Sequence, residues 1–381
     1  MSAAGSYRWL VPYDSEKLRR WPDVEAPDLF ASDAADRLIL DESAATRASI
    51  SPAELLVIGD TYGALTLGAV DEGEPESLVR VHQDTLTGER ALLANAETAG
   101  LSGTFSHHDL TPDLVTGARV ALVRLPRSLD ELDDIAALIA ASAAEDVTVF
   151  AGGRIKHMTT TMNEVLRRHF GRVDISHARQ KSRVLIAREP IRGAGPVLRE
   201  ATHDGIVIRA AGGAFAGTSI DIGTRFLIAN LPSEIAGDDA LVDFACGTGV
   251  VATVLAQAHP GRAVYASDQS AAAVTSAQAT ALANGVEGQI TVVRDDMLGA
   301  LPDASVGFIA LNPPFHSGAA VTDAIAPRMF ADAARVLRPG GELWTVWNSA
   351  LQYRPALERL VGPTRQVARN GKFTVTASTR H

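Results

Sequence analysis

Short apolar runs alternate with helix-patterned segments along this chain, and the alternation occurs twice in the same order. The first run, ELLVIGDTYGALTLGA (Glu54 to Ala69), is a strand, a glycine-containing turn and the start of a helix. SLVRVHQDTLTGERALLANAETAG repeats strand then helix. VALVRLP (Val120 to Pro126), VTVFAGG (Val147 to Gly153) and SRVLIARE (Ser182 to Glu189) read as further strands. LDELDDIAALIAASAAE has helical periodicity, and MNEVLRRHFGRV reads as a helix that stops at Gly171. Strands that alternate with helices need crossover connections, which places them in a mostly parallel sheet covered by helices on both faces.

A Gly/Pro-rich stretch, EPIRGAGP (Glu189 to Pro196), divides the chain near residue 195, and the order then begins again. ALVDFACGTGVVATVLAQA is strand, turn and helix; AVYASDQS is a strand ending in an acid; AAAVTSAQATALANG is a helix closed by Asn284-Gly285. QITVVRDDM and VGFIALNPPF are strands with polar ends, RMFADAARVLRPGG is a helix stopped by Pro339-Gly340, and ELWTVWN and KFTVTAST are final strands. LVIGDTYGAL against LVDFACGTGV, and VALVRLP against IALNPPF, point to an ancient duplication. The expected architecture is therefore α/β, with two tandem Rossmann-like domains over residues 1–195 and 196–381.

The length, 381 residues, suits two domains of ordinary size. No apolar run is long enough to span a membrane, and the first ten residues lack the basic and apolar regions of a signal peptide. With one cysteine, Cys246, neither a disulfide framework nor a cysteine zinc site is available, and the histidines lack convincing metal-ligand partners. A cytoplasmic protein without a metal is expected. The net charge of −10 argues against nonspecific coating of nucleic acid. One segment departs from that mean: between Arg154 and Arg188 nine Lys or Arg face two acids, whereas DEGEPE (Asp71 to Glu76) is acidic. Arg154, Lys156, Arg167, Arg168, Lys181 and Arg183 are candidates for RNA phosphates; a solvated basic helix face is the alternative.

The polar strand ends of the second half carry the chemistry. DFACGTG (Asp243 to Gly249) lies where a strand turns into a helix; Gly247 and Gly249 admit a ligand close to the backbone, and Asp243 can accept from an ammonium. No Lys-Ser/Thr follows, which excludes a phosphate loop. Asp268 ends the next strand, where an acid either holds ribose hydroxyls or caps the following helix. Asp295 and Asp296 end the third; Asp296, beside Met297, is preferred as an acceptor for an adenine amine. NPPF (Asn312 to Phe315) is the sharpest signal. Two prolines remove N–H donors and leave carbonyls free. The Asn312 side-chain oxygen and the Pro313 carbonyl can accept the two hydrogens of an exocyclic amine, aim its lone pair at an electrophile and offset the charge that grows on nitrogen. Phe315 offers a ring face to a planar base.

In this order DFACGTG, SDQS, RDDM and NPPF resemble class I methyltransferases that act on amino nitrogens. NPPFH followed by TDAIAPRMFADAARVLRPGGELWTVWN resembles, more narrowly, the bacterial ribosomal RNA guanine-N2 methyltransferases. FAGTSIDIGTRFLIANLP (Phe215 to Pro232) is similar to that family's lead-in to its catalytic domain. IGDTYGAL, ALVRLPRSLDEL and FAGGRIKHMTTTMNEVLRRHFG are similar to its N-terminal domain, nearer the large-subunit branch. The resemblance implies S-adenosylmethionine as cofactor and ribosomal RNA or a ribosomal subunit as partner. It implies Asn312, Pro313 and Phe315 as active-site residues, and Asp243, Ala245, Gly247, Gly249, Asp268, Asp296 and Asn312 as cofactor contacts. Ala245 stands where the family commonly has glycine. The first half, with VRLPR in place of LNPPF and no acid at the end of its first strand, is expected to lack methyl-transfer chemistry and to dock RNA. His316 is expected behind the active site, Thr322 and Asp323 as helix caps, Trp344 and Trp347 in the core, and Thr224 and Arg225 at the cofactor lip. Methylation of a DNA adenine or a protein glutamine, or an inactive RNA-binding assembly factor, are the competing readings.

Overall fold

The computed structural model describes residues 14–70, 78–314 and 319–381, and the side chains of all of these except 319–324. Phe315, His316, the DEGEPE segment, and the side chains of Thr322 and Asp323 thus lie outside the described residues.

The first half builds a seven-stranded sheet from β1 (Leu55–Ile58), β2 (Val79–His82), β3 (Phe105–His107), β4 (Val120–Arg124), β5 (Thr148–Arg154), β6 (Phe170–Ile175) and β7 (Ser182–Pro190). Their order is β3-β2-β1-β4-β5-β7-β6. The first five run parallel, and β7 pairs antiparallel with β5 and β6. A hairpin of β8 (Arg199–His203) and β9 (Ile206–Ala210) follows. The second sheet uses β10 (Leu241–Phe244), β11 (Val264–Asp268), β12 (Ile290–Arg294), β13 (Val306–Leu311), β14 (Leu337–Asn348), β15 (Thr364–Arg369) and β16 (Phe373–Thr379). Its order, β12-β11-β10-β13-β14-β16-β15, is that of the first sheet strand for strand.

The central strands are apolar on both faces because helices cover both. In the first half Leu56, Ile58, Ala121 and Val123 pack into one core, and Leu55, Val57, Val120 and Leu122 into the opposite one. In the second, Leu241, Phe308 and Ala310 face one layer, while Val242, Phe244, Ile309 and Leu311 face the other. Trp344 and Trp347 are buried, one in each layer.

Three local expectations change. The helix Thr160–His169 ends before Gly171, because Phe170 is already buried in β6 and paired with Pro190 across from it. Tertiary pairing overrides helical patterning there. The helix Ala319–Val336 ends ahead of Pro339-Gly340. β14 begins at Leu337, and its register jumps from Val306↔Leu337 to Phe308↔Glu342, so the Pro-Gly pair sits in an irregularity of the strand. The helix Ala34–Arg47, the strands β3 and β6 and the β8–β9 hairpin have no counterpart in the pattern reading.

The halves meet through equivalent loops. Leu86 N donates to Gln269 O at 3.0 Å, and Ala271 N donates to Asp84 O at 2.8 Å. Thr85 and Ser270 bridge between these contacts. Asp84, Thr85 and Leu86 follow β2 as Gln269, Ser270 and Ala271 follow β11, so the contact is self-complementary, as across a two-fold axis.

Candidate active site

The turn after β10 is the floor of the site. Ala245, Gly247 and Gly249 all hold positive φ, at 60°, 53° and 76°. This bends the chain sharply into the helix Val250–Ala258. A Cβ on Gly249 would meet Ala277 Cβ at 2.8 Å and its Cα at 2.9 Å, so glycine is required there by both conformation and packing. Ala245 holds the left-handed conformation with a side chain, which costs roughly 1–2 kcal/mol.

Asp243 is buried, and its Oδ2 accepts from Ala252 N at 2.8 Å in the first helical turn. Burial pushes its carboxyl up to about 7, against the pull of that hydrogen bond and with help from the Asp268 charge. Asp268 accepts from Gly247 N and from Ser270 N, each at 3.0 Å, and burial raises it too. The helix Ala271–Ala283 is capped by Ser270, whose Oγ accepts from Ala273 N at 3.1 Å. Asp268 is therefore not that helix's cap, and it lines a cavity.

Asp295 is buried and accepts from Ala300 N at 2.8 Å, bracing the turn after β12. Asp296 reaches across to the first half, where Arg90 Nη1 donates to its Oδ2 at 3.1 Å. Burial raises the Asp296 carboxyl, opposed chiefly by Arg90. The single cysteine is buried in the turn, and burial pushes its thiol up.

Asn312 follows β13. Its Nδ2 donates to Thr224 Oγ1 at 2.9 Å and to Asp221 Oδ2 at 3.4 Å. A carboxylate only accepts, so the amide must present its NH2 on this side. Oδ1 is then left buried without a partner. Asp221 is held by its own role as the cap of the helix Ile222–Ile228, accepting from Gly223 N and Thr224 N.

These groups surround one cavity of about 360 Å³, within the range of small-molecule sites. Asp243, Ala245, Gly247, Asp268, Asp296, Asn312 and Pro313 all line it, with Asp296 after β12 and Asn312 after β13 at opposite ends of the row of strand termini β12-β11-β10-β13. Gly249 does not; it packs behind, on Ala277. Thr224 lines the cavity, but Arg225 turns away to pair with Asp204 at 3.3 Å. Asp221, Phe215 and, from the first half, Thr85 complete the walls and were missed by the sequence reading. Only Asp221 left a signal there, as the residue before an apolar helix start. The cavity can hold a ligand with hydroxyls against Asp268 and a cationic end near Asp243, beside an amine that donates to Asn312 Oδ1.

The first half has the same frame with other side chains. Val57 stands at the place of Asp243 and Gln83 at that of Asp268, by strand register. An acid is nonetheless present on its turn: Asp60, buried, accepts from Thr66 N, as Asp243 does from Ala252 N. The duty of holding the helix start has moved from the strand end to the turn.

The basic segment divides. Arg168 pairs with Asp133, Arg172 and Arg188 with Asp174, and Arg179 with Asp41. Among the described residues Arg154, Lys156, Arg167, Lys181 and Arg183 form no ion pair. Ile155 N donates to Lys181 O, and Arg183 lies opposite Gly153 in the sheet, so Arg154, Lys156, Lys181 and Arg183 share the end of β5. Arg127, absent from the sequence candidates, joins them. With partial burial, the charges of Lys156, Arg127 and Arg154 hold the His157 imidazole below its ordinary value. Arg167 and Arg168 lie apart, at the far end of the helix Thr160–His169.

Two family profiles match: the RLMG N-terminal domain over residues 8–190 and the Methyltransferase small domain over residues 205–377. The proteins named Ribosomal RNA large subunit methyltransferase G of Streptomyces avermitilis and Streptomyces coelicolor are 34% and 36% identical to the chain. Each alignment covers 96% of it and 97% and 98% of the relative. That of Shewanella amazonensis is 32% identical, covering 94% of both. Among solved structures, a T. thermophilus 16S rRNA N2 methyltransferase in complex with AdoMet and guanosine superposes with a TM-score of 0.71. It covers 94% of this chain and 97% of its own at 19% identity, a likeness of fold.

Proposed function

The chain belongs to the family of the ribosomal RNA large subunit methyltransferase G proteins, and from that premise we propose that it methylates the exocyclic N2 amine of a guanine in large-subunit ribosomal RNA, using S-adenosylmethionine. The observation that carries the reading is the buried, unpartnered Oδ1 of Asn312, a residue that lines the cavity. A buried acceptor without a partner costs roughly 1–3 kcal/mol, which an incoming amine repays.

Bound S-adenosylmethionine supplies a methyl group on an electrophilic sulfonium. The residues do the rest. Asp268 accepts from ribose hydroxyls, with Gly247 and Ser270 amides fixing its carboxylate. Asp296 and Met297 face the adenine, and Asp243 lies toward the ammonium. Asn312 Oδ1 and the Pro313 carbonyl would accept hydrogen bonds from the two amine hydrogens and aim the nitrogen lone pair at the methyl. As the N–CH3 bond formed the S–CH3 bond would break, leaving a neutral thioether. The charge on nitrogen, met by two fixed acceptors, would be discharged by loss of one proton to solvent. Phe315, by its place in the NPPF motif, stacks on the base. The guanine leaves its own stack at a cost of a few kcal/mol, which stacking in the pocket offsets. Residues 1–195 form a non-catalytic domain whose free cations at the end of β5 contact the RNA backbone, in the cytoplasm.

The test is methyl transfer from labelled cofactor to ribosomal RNA of a strain lacking the gene, with the product mapped by nucleoside analysis. One N2-methylguanine in large-subunit RNA is expected. Label in N6-methyladenine, in protein or nowhere would refute the reading.

A further inference from the structure

The segment Gln83–Arg90 of the first half, the turn after β2 and the start of the helix Leu86–Ala99, is built against the cofactor side of the second. Asp84 Oδ1 accepts from Ser270 Oγ at 3.0 Å and from Ala272 N at 2.9 Å. It thereby caps, from another domain, the helix that begins right after the ribose-facing Asp268. Thr87 Oγ1 donates to Gln269 Oε1 at 2.8 Å. Arg294, the last residue of β12, clamps the loop from the other side, with Nη1 on Glu89 at 2.6 Å and Nη2 on the carbonyls of Gln83 and Asp84 at 2.9 and 3.0 Å. Arg90 pairs with Asp296, which lines the cavity, and Thr85 lines the cavity itself.

We propose that the adenosine end of the cofactor site is shared between the two halves: Thr85 is a wall contact, and Asp84 and Arg90 are positioning residues that hold the 268–270 turn and Asp296 in their binding geometry. The inference rests on the reading of the cavity as the S-adenosylmethionine site. It gives the first half a second role beside RNA contact. The self-complementary docking of the β2 and β11 loops is what makes this possible. One copy of the loop kept the acid that holds ribose, Asp268. The other has Gln83 at that place and turned the next residue, Asp84, into a clamp for its partner.

The experiment is calorimetry of the full chain with S-adenosylmethionine alone, beside steady-state methylation of ribosomal RNA and thermal melting. Arg90→Ala removes a half-exposed charge and is expected to weaken cofactor binding about two- to fivefold. Asp84→Ala, which also strips a helix cap, is expected to weaken it about tenfold. In both, kcat at saturating cofactor and the KM for RNA stay within about twofold, and Arg90→Lys recovers most of the loss. A role in folding alone would instead lower the melting temperature and leave cofactor affinity of the folded protein untouched. That outcome, or wild-type affinity in both variants, overturns the proposal. A wild-type protein that binds no S-adenosylmethionine overturns the cofactor reading itself and this inference with it.

Discussion

Arg124 and Asn312 occupy the same place in the two halves. Each comes directly after the residue that pairs with the end of the sheet's first strand, Val123 with Ile58 and Leu311 with Phe244. Each reaches the carboxylate that caps the helix leading into its sheet: Arg124 to Asp33 at 2.9 Å, Asn312 to Asp221 at 3.4 Å. Three residues into those helices, Arg124 meets Asp36 at 3.0 Å and Asn312 meets Thr224 at 2.9 Å. In the first half the position is filled by a guanidinium locked between carboxylates, which has no acceptor to offer an amine. In the second it is filled by an amide whose donors are spent and whose acceptor is free.

Asn312→Ala should therefore lower kcat by about 10²–10³-fold and leave cofactor affinity within a few-fold, since the contact is made to the substrate amine as charge develops. Thr224→Val tests the positioning. Without the Thr224 hydroxyl the amide loses its main anchor, and kcat should fall about tenfold, the worth of one hydrogen bond in a fixed geometry. Single-turnover assays at saturating cofactor separate these losses from weakened binding. Near-normal turnover in Asn312→Ala would remove the mechanism.

The glycine turn predicts two substitutions of opposite sign. Gly249→Ala puts a Cβ into the backbone of the helix Ala271–Ala283 at a φ of 76° and should cost about 2–4 kcal/mol from strain and overpacking together. Ala245→Gly relaxes a side chain from a φ of 60°. Against the entropy that glycine adds to the unfolded chain, it should be neutral or stabilise by up to about 1 kcal/mol. Denaturant midpoints for both variants check this, and a strongly destabilised Ala245→Gly would mean that the alanine methyl is needed for packing.

The alternation of strands and helices and the site motifs were legible because both are local. β1 and β10 are short runs buried on both faces, and Asp243, Asp268 and Asn312 stand at strand ends where ligands of open α/β sheets gather. What was hidden is long-range. Nothing in the sequence near Asp296 announces Arg90, 206 positions away. Asp60 was passed over because it caps the helix from the turn and not from the strand. The basic run read as one patch, yet folding gives Arg168 to Asp133 and Arg188 to Asp174, and carries Arg167 down a helix away from Lys156. A β-strand at Phe170–Ile175 depended on its pairing with β7, and its own residues continue a helical pattern.

The buried acids set a pH dependence whose sign follows from the direction of their shifts. Asp243 is raised to about 7 by burial, Glu131 to about 7 by burial and then by Asp84 and Asp134, and Asp36 to about 6 by burial. A carboxyl raised in the folded state binds a proton there that the unfolded chain releases near pH ~4, so its ionisation destabilises the fold as pH rises from ~4 to ~7. His82 and His107, held below their ordinary value by burial, act oppositely below about 6.5. Comparison of single variants isolates one group. Asp243→Asn keeps an acceptor for Ala252 N but cannot ionise. Its melting temperature relative to wild type, without cofactor, should be higher at pH 8 than at pH 5. An equal difference at both would show that Asp243 titrates as an ordinary carboxyl.

The division of the basic segment predicts which charges bind RNA. Lys156 and Lys181 are exposed, free of ion pairs among the described residues and joined through the Ile155–Lys181 backbone contact, with Arg127, Arg154 and Arg183 alongside. Beside Arg127 the two halves also touch. The next residue, Ser128, donates to Gly212 O at 2.8 Å, in the segment that leads to Phe215 on the cavity wall. Arg168 is already neutralised by Asp133, and Arg167 lies roughly 10 Å along the helix from its start, at 1.5 Å per residue. Reversal of Lys156 and Lys181 to Glu should weaken RNA binding and flatten its dependence on salt, by about 0.7–0.9 in the log–log slope for each phosphate deprived of its cation. Reversal of Arg167 and Arg168 should change the slope by less than the worth of one phosphate. Cofactor affinity should stay the same in both. Filter binding at several salt concentrations gives the slopes. If the Arg167/Arg168 pair carried the larger effect, the RNA path would run over the helix Thr160–His169 and not over the end of β5.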